Sequence, residues 1–196
     1  MHLVLVRHGE TEENVRSISQ GHTHGTLTDR GYEQIRTVAE RLSARTFDAA
    51  YTSDLKRCTE TARIISANFP DLIFTTTEKA RERNNGEFQG MYHKDIQWDS
   101  IEGTWFTRRP PGGESIQDLR NRAQILINEL REKHDGETVL LVTHGGLIRI
   151  IYAIAQNKTE EELGDILQNT IVQNTSISEI KFSPDKNEIL CWNSIE

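Results

Sequence analysis

Two short apolar runs, each ending in a histidine and a glycine, constrain most strongly what this chain folds into. Residues 3–6 run into Arg-His-Gly, and residues 139–142 run into Thr-His-Gly-Gly. A continuous apolar run bounded by a turn signal predicts a buried strand. In parallel α/β sheets, ligands bind just beyond the carboxyl ends of the strands. We therefore expect His8 and His144 to face one pocket.

The rest of the chain alternates between helical and strand patterns. Thr28 and Ser115 are expected to cap two helices, and Ser53 or Asp54 a third. The helix after Ser115 continues through a stripe at helical spacing, formed by Leu119, Arg122, Ala123, Leu126, Ile127 and Leu130. Near the C-terminus, two alternating segments, residues 175–182 and 188–192, predict a closing hairpin.

These patterns predict an α/β fold. We expect a three-layer sandwich with a mostly parallel sheet, one antiparallel edge strand and helices on both faces. A small helical cover, roughly residues 83–113, is expected to lie over the site, because aromatic and basic residues are interspersed there before a Pro-Pro-Gly-Gly hinge. Residues 1–196 are expected to form a single domain, since domains commonly have about 100–200 residues.

Composition narrows the functional class. The net charge of −7 argues against nucleic-acid binding through a basic surface. No apolar run approaches the roughly 20 residues of a membrane span, and the N-terminus lacks a signal-peptide pattern. Two cysteines do not make a disulfide framework. The expected location is therefore the cytoplasm, with no membrane partner.

Three motifs together resemble the histidine phosphatase superfamily, the phosphoglycerate-mutase-like proteins. They are Leu-Val-Arg-His-Gly-Glu-Thr at residues 5–11, Ser-x-Leu-x-Arg-x-x-x-Thr-Ala at residues 53–62, and Thr-His-Gly-Gly at residues 143–146. The resemblance extends from Met1 to about Trp192. The short chain looks most like the broad-specificity and α-ribazole-phosphate phosphatases.

The resemblance implies a set of site residues. The implied catalytic residues are Arg7, His8, Arg57, Glu82 and His144, and the implied substrate contacts are Asn14, Gln20, Gly21 and Gly145. Guanidinium groups suit a phosphoryl group because they stay charged and donate bidentate hydrogen bonds. A neutral histidine ring can attack phosphorus when its other nitrogen is hydrogen-bonded.

In this scheme His8 becomes a phosphohistidine, His144 donates to a non-bridging oxygen, and Glu82 protonates the leaving group. An incoming phosphoryl dianion favours the protonated form of a neighbouring carboxyl. The segment around Glu82 departs from the family pattern, with alanine in place of the usual leucine at position 80. Glu87 therefore remains an alternative acid.

No metal or cofactor is expected. His22 and His24 are spaced by one residue, but a third ligand is missing nearby, so a solvated or substrate-facing loop is the better interpretation. The arginines and histidines already supply positive charge.

The expected function is that of a histidine acid-type phosphatase, a metal-independent phosphomonoester hydrolase that acts on a small phosphorylated metabolite. Mutase-type phosphoryl transfer is the first alternative, but cofactor-dependent mutases carry a longer insert than the roughly sixty residues between Glu82 and His144. The second alternative is a non-catalytic module that binds phospho-ligands. The expected partner is a small-molecule phosphate ester, and the chain is expected to be a monomer or homodimer.

Overall fold

In the computed structural model, which describes residues 1–195, six strands form one mixed sheet in the order β3-β2-β4-β1-β5-β6. The strands are β1 (His2–Arg7), β2 (Ala49–Ser53), β3 (Phe74–Thr77), β4 (Thr138–Thr143), β5 (Ile177–Lys181) and β6 (Glu188–Ser194). The first four pair in parallel, whereas β5 pairs antiparallel with both β1 and β6. The predicted fold class is confirmed, and its antiparallel edge is the predicted hairpin.

The helices connect these strands. They are α1 (Glu12–Val15), α2 (Asp29–Leu42), α3 (Lys56–Ser66), α4 (Ile116–Lys133), α5 (Gly145–Ala155) and α6 (Glu160–Asn169). The side chain of Thr28 caps α2 by accepting from Gly31 N at 2.8 Å. Ser115 and Asp118 form a capping box at α4. No helix within residues 1–195 has the length and apolar character needed to cross a bilayer.

The start of α3 differs from the prediction that Ser53 or Asp54 caps it. The N-cap is Leu55, which has no capping side chain. Ser53 Oγ instead lies 2.9 Å from a ring nitrogen of His144, and Asp54 pairs with Arg81. Ser53 Oγ also accepts from the backbone N of the N-cap residue Leu55 at 3.3 Å, but neither Ser53 nor Asp54 is the N-cap itself.

Two apolar cores lie on opposite faces of the sheet. Successive strand residues point to opposite faces, so β1 and β4 each contribute to both cores. Leu3 and Leu141 pack with α4 and α5, whereas Val4 and Val142 pack with α2 and α3. Burial on both faces explains why these two strands are continuously apolar in sequence.

The predicted cover consists of three short 3-10 helices, Gly86–Phe88, His93–Asp95 and Trp98–Ser100. The rings of Phe88 and Trp98 pack edge to face, with centroids 5.0 Å apart. Gly86 has a φ of +50°, and a Cβ there would lie 2.0 Å from the carbonyl oxygen of Pro111. Glycine is therefore required where the start of the cover meets its end.

Candidate active site

The pairing of β1 with β4 brings the two predicted histidines together. Arg7 pairs with Thr143 in the parallel register, and His8 N donates to Thr143 O at 3.0 Å. The rings of His8 and His144 consequently lie with centroids 5.3 Å apart, and both side chains are buried. The pairing thus brings both histidines to one edge of the sheet, but only His8 lines the cavity there, and the expectation that both face one pocket does not hold for His144.

A cavity of about 390 Å³ opens at this edge. Its lining includes eight of the predicted site residues: Arg7, His8, Asn14, Gln20, Gly21, Arg57, Glu82 and Gly145. His144 lies behind this lining, in contact with Arg57. Glu87 is exposed and does not line the cavity, so the geometry favours Glu82 over Glu87 as the acid.

The ring of His8 is held as a neutral tautomer. Its Nδ1 lies 2.7 Å from the carbonyl oxygen of Gly9, which can only accept, so Nδ1 carries the proton. Burial, reinforced by the charges of Arg57 and Arg7, lowers the pKa of His8 well below the usual value. Within the described residues Nε2 has no hydrogen-bond partner, and its lone pair is available for attack.

Arg57, almost fully buried, is fixed by three acceptors. Its Nε donates to Nδ1 of His144 at 3.2 Å, and its two Nη atoms donate to the carbonyl oxygens of Thr23 and Gly21. A guanidinium has five N–H groups, so each Nη keeps one more for an anion. Burial lowers the pKa of Arg57.

Arg7 presents an unused donor. One Nη donates to the carbonyl oxygen of Val172, while Nε is buried and has no partner among the residues described. A Cβ on Gly145 would lie 3.3 Å from this Nε, so glycine lets the backbone approach closely. Burial lowers the pKa of Arg7 to about 10, which leaves it charged at neutral pH. The second Nη of Arg7 has no partner among the residues described and is not fully buried, so it is the group that can donate to an anion in the cavity.

Both ring nitrogens of His144 already have protein partners. Nδ1 accepts from Arg57 Nε, so Nε2 carries the proton and donates to Ser53 Oγ at 2.9 Å. Burial and the nearby Arg57 charge lower its pKa well below the usual value. A phosphoryl oxygen that binds His144 must therefore replace one of these partners. Cys58, whose pKa burial raises to about 12, packs 3.4 Å from Nε2 as an unreactive thiol.

Glu82 lies at the N-terminus of α5. Its Oε2 accepts from Gly146 N at 2.9 Å, and its Oε1 accepts from Arg83 N at 2.8 Å. A Cβ on Gly146 would lie only 2.1 Å from Oε1, so glycine is needed for this contact. The carboxyl group thus shares one cavity with His8 and both arginines.

The loop after β1 contributes polar groups. Asn14 Oδ1 accepts from Thr11 N at 3.2 Å and from Asn174 Nδ2 at 3.3 Å, which orients its amide nitrogen away from these donors. The buried Gln20 Oε1 has no partner among the described residues. Of the two loop histidines, His22 Nε2 donates to Glu82 O at 2.8 Å. In residues 1–195 no group of three or more His, Cys, Asp or Glu could hold a metal ion.

Three further residues of the site were not predicted. Arg83 and Arg149 line the cavity, and Asn174 donates to the carbonyl oxygen of His8 at 2.9 Å. Arg83 follows Glu82 directly, and its guanidinium carbon lies 4.5 Å from the ring centroid of Trp98. The adjacency of Arg83 to a candidate acid was the available signal. Asn174 lies on a loop far along the chain, and no sequence pattern around it indicates a role in the site.

The buried histidines predict a pH-dependent stability. The pKa of His8 is lowered in the folded state, so the unfolded chain takes up a proton first as the pH falls below about 6.5. Stability is therefore complete above pH 6.5 and decreases below it, by about 1.4 kcal/mol per pH unit for each such histidine. The free energy of unfolding, measured with urea, should fall between pH 7.5 and pH 5.5 in both proteins. We expect this decrease to be about 1 kcal/mol smaller in His8→Asn than in wild type.

The exposed His24 supplies the control for this measurement. His24→Asn should keep the pH dependence of the wild type. An identical pH dependence in His8→Asn and wild type would contradict the depressed pKa of His8.

The model of the histidine phosphatase superfamily (branch 1) matches residues 3–195. Phosphoglycerate mutase-like protein 4 of Arabidopsis thaliana is 36% identical over 202 residues, covering 98% of this chain and 85% of that protein. The metal-independent phosphoserine phosphatase of the same plant is 37% identical over 160 residues, covering 76% of this chain and 66% of that protein.

A solved structure with the same fold is the α-ribazole phosphatase of Shigella flexneri. It superposes with a TM-score of 0.87 at 26% identity and covers 100% of this chain and 97% of that one. The family match spans nearly the whole chain, and the relatives named as phosphatases support phosphatase activity. This chain belongs to the histidine phosphatase superfamily.

Proposed function

We propose that this protein is a metal-independent phosphomonoester hydrolase that acts on a small phosphorylated metabolite through a phosphohistidine intermediate. One observation carries the proposal. The neutral His8 has a free Nε2 in a cavity that it shares with the buried Arg57 and the half-buried Arg7, each with N–H donors left unpaired in the described residues. That combination of a nucleophile and a dianion site suits phosphoryl transfer.

In the first half-reaction the phosphoryl group passes from the ester oxygen to His8. Nε2 forms the P–N bond while the P–O bond to the leaving group breaks. The leaving oxygen takes a proton from Glu82, which lines the same cavity. The products of this step are a free alcohol and phosphohistidine.

In the second half-reaction a water molecule attacks phosphorus. Glu82, now ionised, takes a proton from that water, and the P–N bond breaks. His8 returns to its neutral form, and inorganic phosphate leaves. Each residue is thus restored at the end of the cycle.

Charge stabilisation comes from the arginines. The unpaired Nη of Arg7 and the remaining N–H groups of Arg57 donate to the non-bridging oxygens. His144 holds Arg57 through Nδ1, and it stabilises the transferring group directly only when a phosphoryl oxygen replaces one of its partners. Asn14, Gln20, Gly21 and Gly145 complete the proposed substrate site.

The relative named a metal-independent phosphoserine phosphatase supports hydrolysis without a metal. The relative named a phosphoglycerate mutase-like protein keeps mutase-type transfer as the second candidate. The two differ only in whether water or a second substrate hydroxyl accepts the phosphoryl group.

The expected result is that wild-type protein hydrolyses p-nitrophenyl phosphate at the same rate with and without EDTA. The arginines supply the positive charge, so chelation removes nothing that the reaction needs. Phosphate release is followed with a panel of phosphate esters, and 3-phosphoglycerate with a bisphosphate primer tests for isomerisation. Loss of turnover with EDTA would contradict the metal-free mechanism. Isomerisation without phosphate release would instead establish the mutase, and neither activity would indicate a binding module.

A further inference from the structure

Arg122 donates three hydrogen bonds from its guanidinium to backbone carbonyl oxygens of the segment that carries Glu82. Its Nη1 donates to the carbonyl oxygens of Lys79 and Arg81, at 2.9 and 2.8 Å. Its Nη2 donates to the carbonyl oxygen of Glu82 itself at 3.0 Å. Three backbone acceptors within four residues are therefore held by one side chain, which lies in the stripe of α4 that otherwise consists of apolar residues.

Glu114 takes the remaining donors of this guanidinium. Arg122 Nε donates to its Oε1 at 2.9 Å, and Arg122 Nη2 donates to its Oε2 at 2.8 Å. The same Oε2 accepts from Asn84 N at 2.8 Å, and the backbone oxygen of Glu114 accepts from Arg83 Nε at 2.8 Å. The ion pair thus forms hydrogen bonds with residues on both sides of Glu82. Both side chains are more than three-quarters buried.

These contacts matter because the part of the segment that carries Glu82 has no regular structure of its own. Residues 82–85 belong to no helix or strand, so neither helix nor sheet hydrogen bonds fix the backbone of Glu82. The carbonyl oxygen of Glu82 is fixed by side chains instead, by Arg122 and by His22 Nε2 at 2.8 Å. A proton donor must stay within hydrogen-bond reach of its target, and an error of about 1 Å can cost about 100-fold in rate.

We infer that Arg122, together with Glu114, is a positioning residue for the general acid Glu82. Neither side chain lines the cavity, so the pair acts through the backbone and not on the substrate. The inference rests on the proposed function, in which Glu82 protonates the leaving group. Its distinctive consequence is a rate loss that depends on how much the leaving group needs a proton.

The test is the kcat/KM of Arg122→Lys for an alkyl phosphate, glycerol 2-phosphate, and for p-nitrophenyl phosphate. This ratio reports only steps up to leaving-group departure, so the later water attack does not enter it. Lysine keeps the charge but cannot reach three carbonyls and a carboxylate together. We expect kcat/KM to fall about 10- to 100-fold for the alkyl ester and less than about threefold for p-nitrophenyl phosphate, whose phenolate leaves unaided.

The matched control is Arg120→Lys. Arg120 lies on the same helix, is half-buried and donates to the carbonyl oxygen of Lys158, far from Glu82 in the chain. It should leave both kcat/KM values unchanged. If Arg122→Lys fails to fold, Glu114→Gln is measured in its place, because it weakens the ion pair that holds Arg122. Combining either variant with Glu82→Gln should produce no further selective loss, because the group being positioned is gone.

Equal losses on the two esters would overturn the inference, since they would indicate general damage to the site. Unchanged values on both would overturn it as well. In both cases the proposed function would still stand if Glu82→Gln lowered kcat/KM for the alkyl ester much more than for p-nitrophenyl phosphate. A wild type that hydrolyses neither ester would overturn the proposed function, and the inference with it.

Discussion

His8→Ala is expected to lower phosphatase turnover by about 10⁴-fold or more, to the limit of detection. The neutral imidazole is the nucleophile in the proposed mechanism, and alanine leaves nothing to form the P–N bond. Steady-state hydrolysis of p-nitrophenyl phosphate measures the loss. Wild-type protein quenched at high pH should carry one phosphoryl group by mass spectrometry, and the variant should carry none.

Two comparisons make this result specific to the nucleophile. His24→Ala removes an exposed histidine that does not line the cavity, so its turnover should equal that of the wild type. Inorganic phosphate should still bind to His8→Ala, because both arginines of the clamp remain. Turnover above about 1% of wild type in His8→Ala would refute the phosphohistidine mechanism.

Glu82→Gln is expected to lower kcat/KM for glycerol 2-phosphate by about 10²- to 10⁴-fold, the range typical of a lost general acid. Glutamine keeps the shape of the side chain and an oxygen that can accept from Gly146 N, but its amide has no acidic proton to transfer. For p-nitrophenyl phosphate the loss should be much smaller, since that leaving group departs without protonation. The measurement is the ratio of kcat/KM for the two esters, in wild type and variant.

Glu87→Gln serves as the matched control for this experiment. Glu87 is five residues further along the chain, exposed and outside the cavity lining, so its substitution should leave kcat/KM unchanged for both esters. A selective loss in Glu87→Gln with none in Glu82→Gln would reverse the assignment of the acid. Equal losses on both esters in Glu82→Gln would indicate that the carboxylate orders the site but gives no proton.

Local patterns in the chain predicted the fold and the two strands that carry the histidines. Both strands are buried on both faces, which demands continuous apolar runs that are visible without any tertiary information. The caps of α2 and α4 were likewise predictable, because a capping side chain bonds to backbone only three residues away. The same logic failed at α3, where distant partners bind Ser53 and Asp54.

The assignment of Arg57 and Glu82 needed the resemblance to a family as well as the residues. An arginine in the first turn of an amphipathic helix looks like a surface residue, yet the fold buries Arg57 against His144 and the loop after β1. The choice between Glu82 and Glu87 depended on which carboxyl group faces the cavity. Spacing along an irregular segment does not fix that direction.

The sequence by itself determined the buried strands, the histidine after each of the two apolar runs and the arginine beside His8, because each depends on neighbours along the chain. Only the tertiary structure decided the tautomer of His8, the partners of His144 and the hydrogen bonds from Arg122 to the segment that carries Glu82. The partners of His144 and the carbonyl oxygens that Arg122 binds lie forty or more residues away along the chain, and the neutral state of His8 depends on burial. Hydrogen bonds of that kind follow from how the elements pack, and no local pattern encodes them.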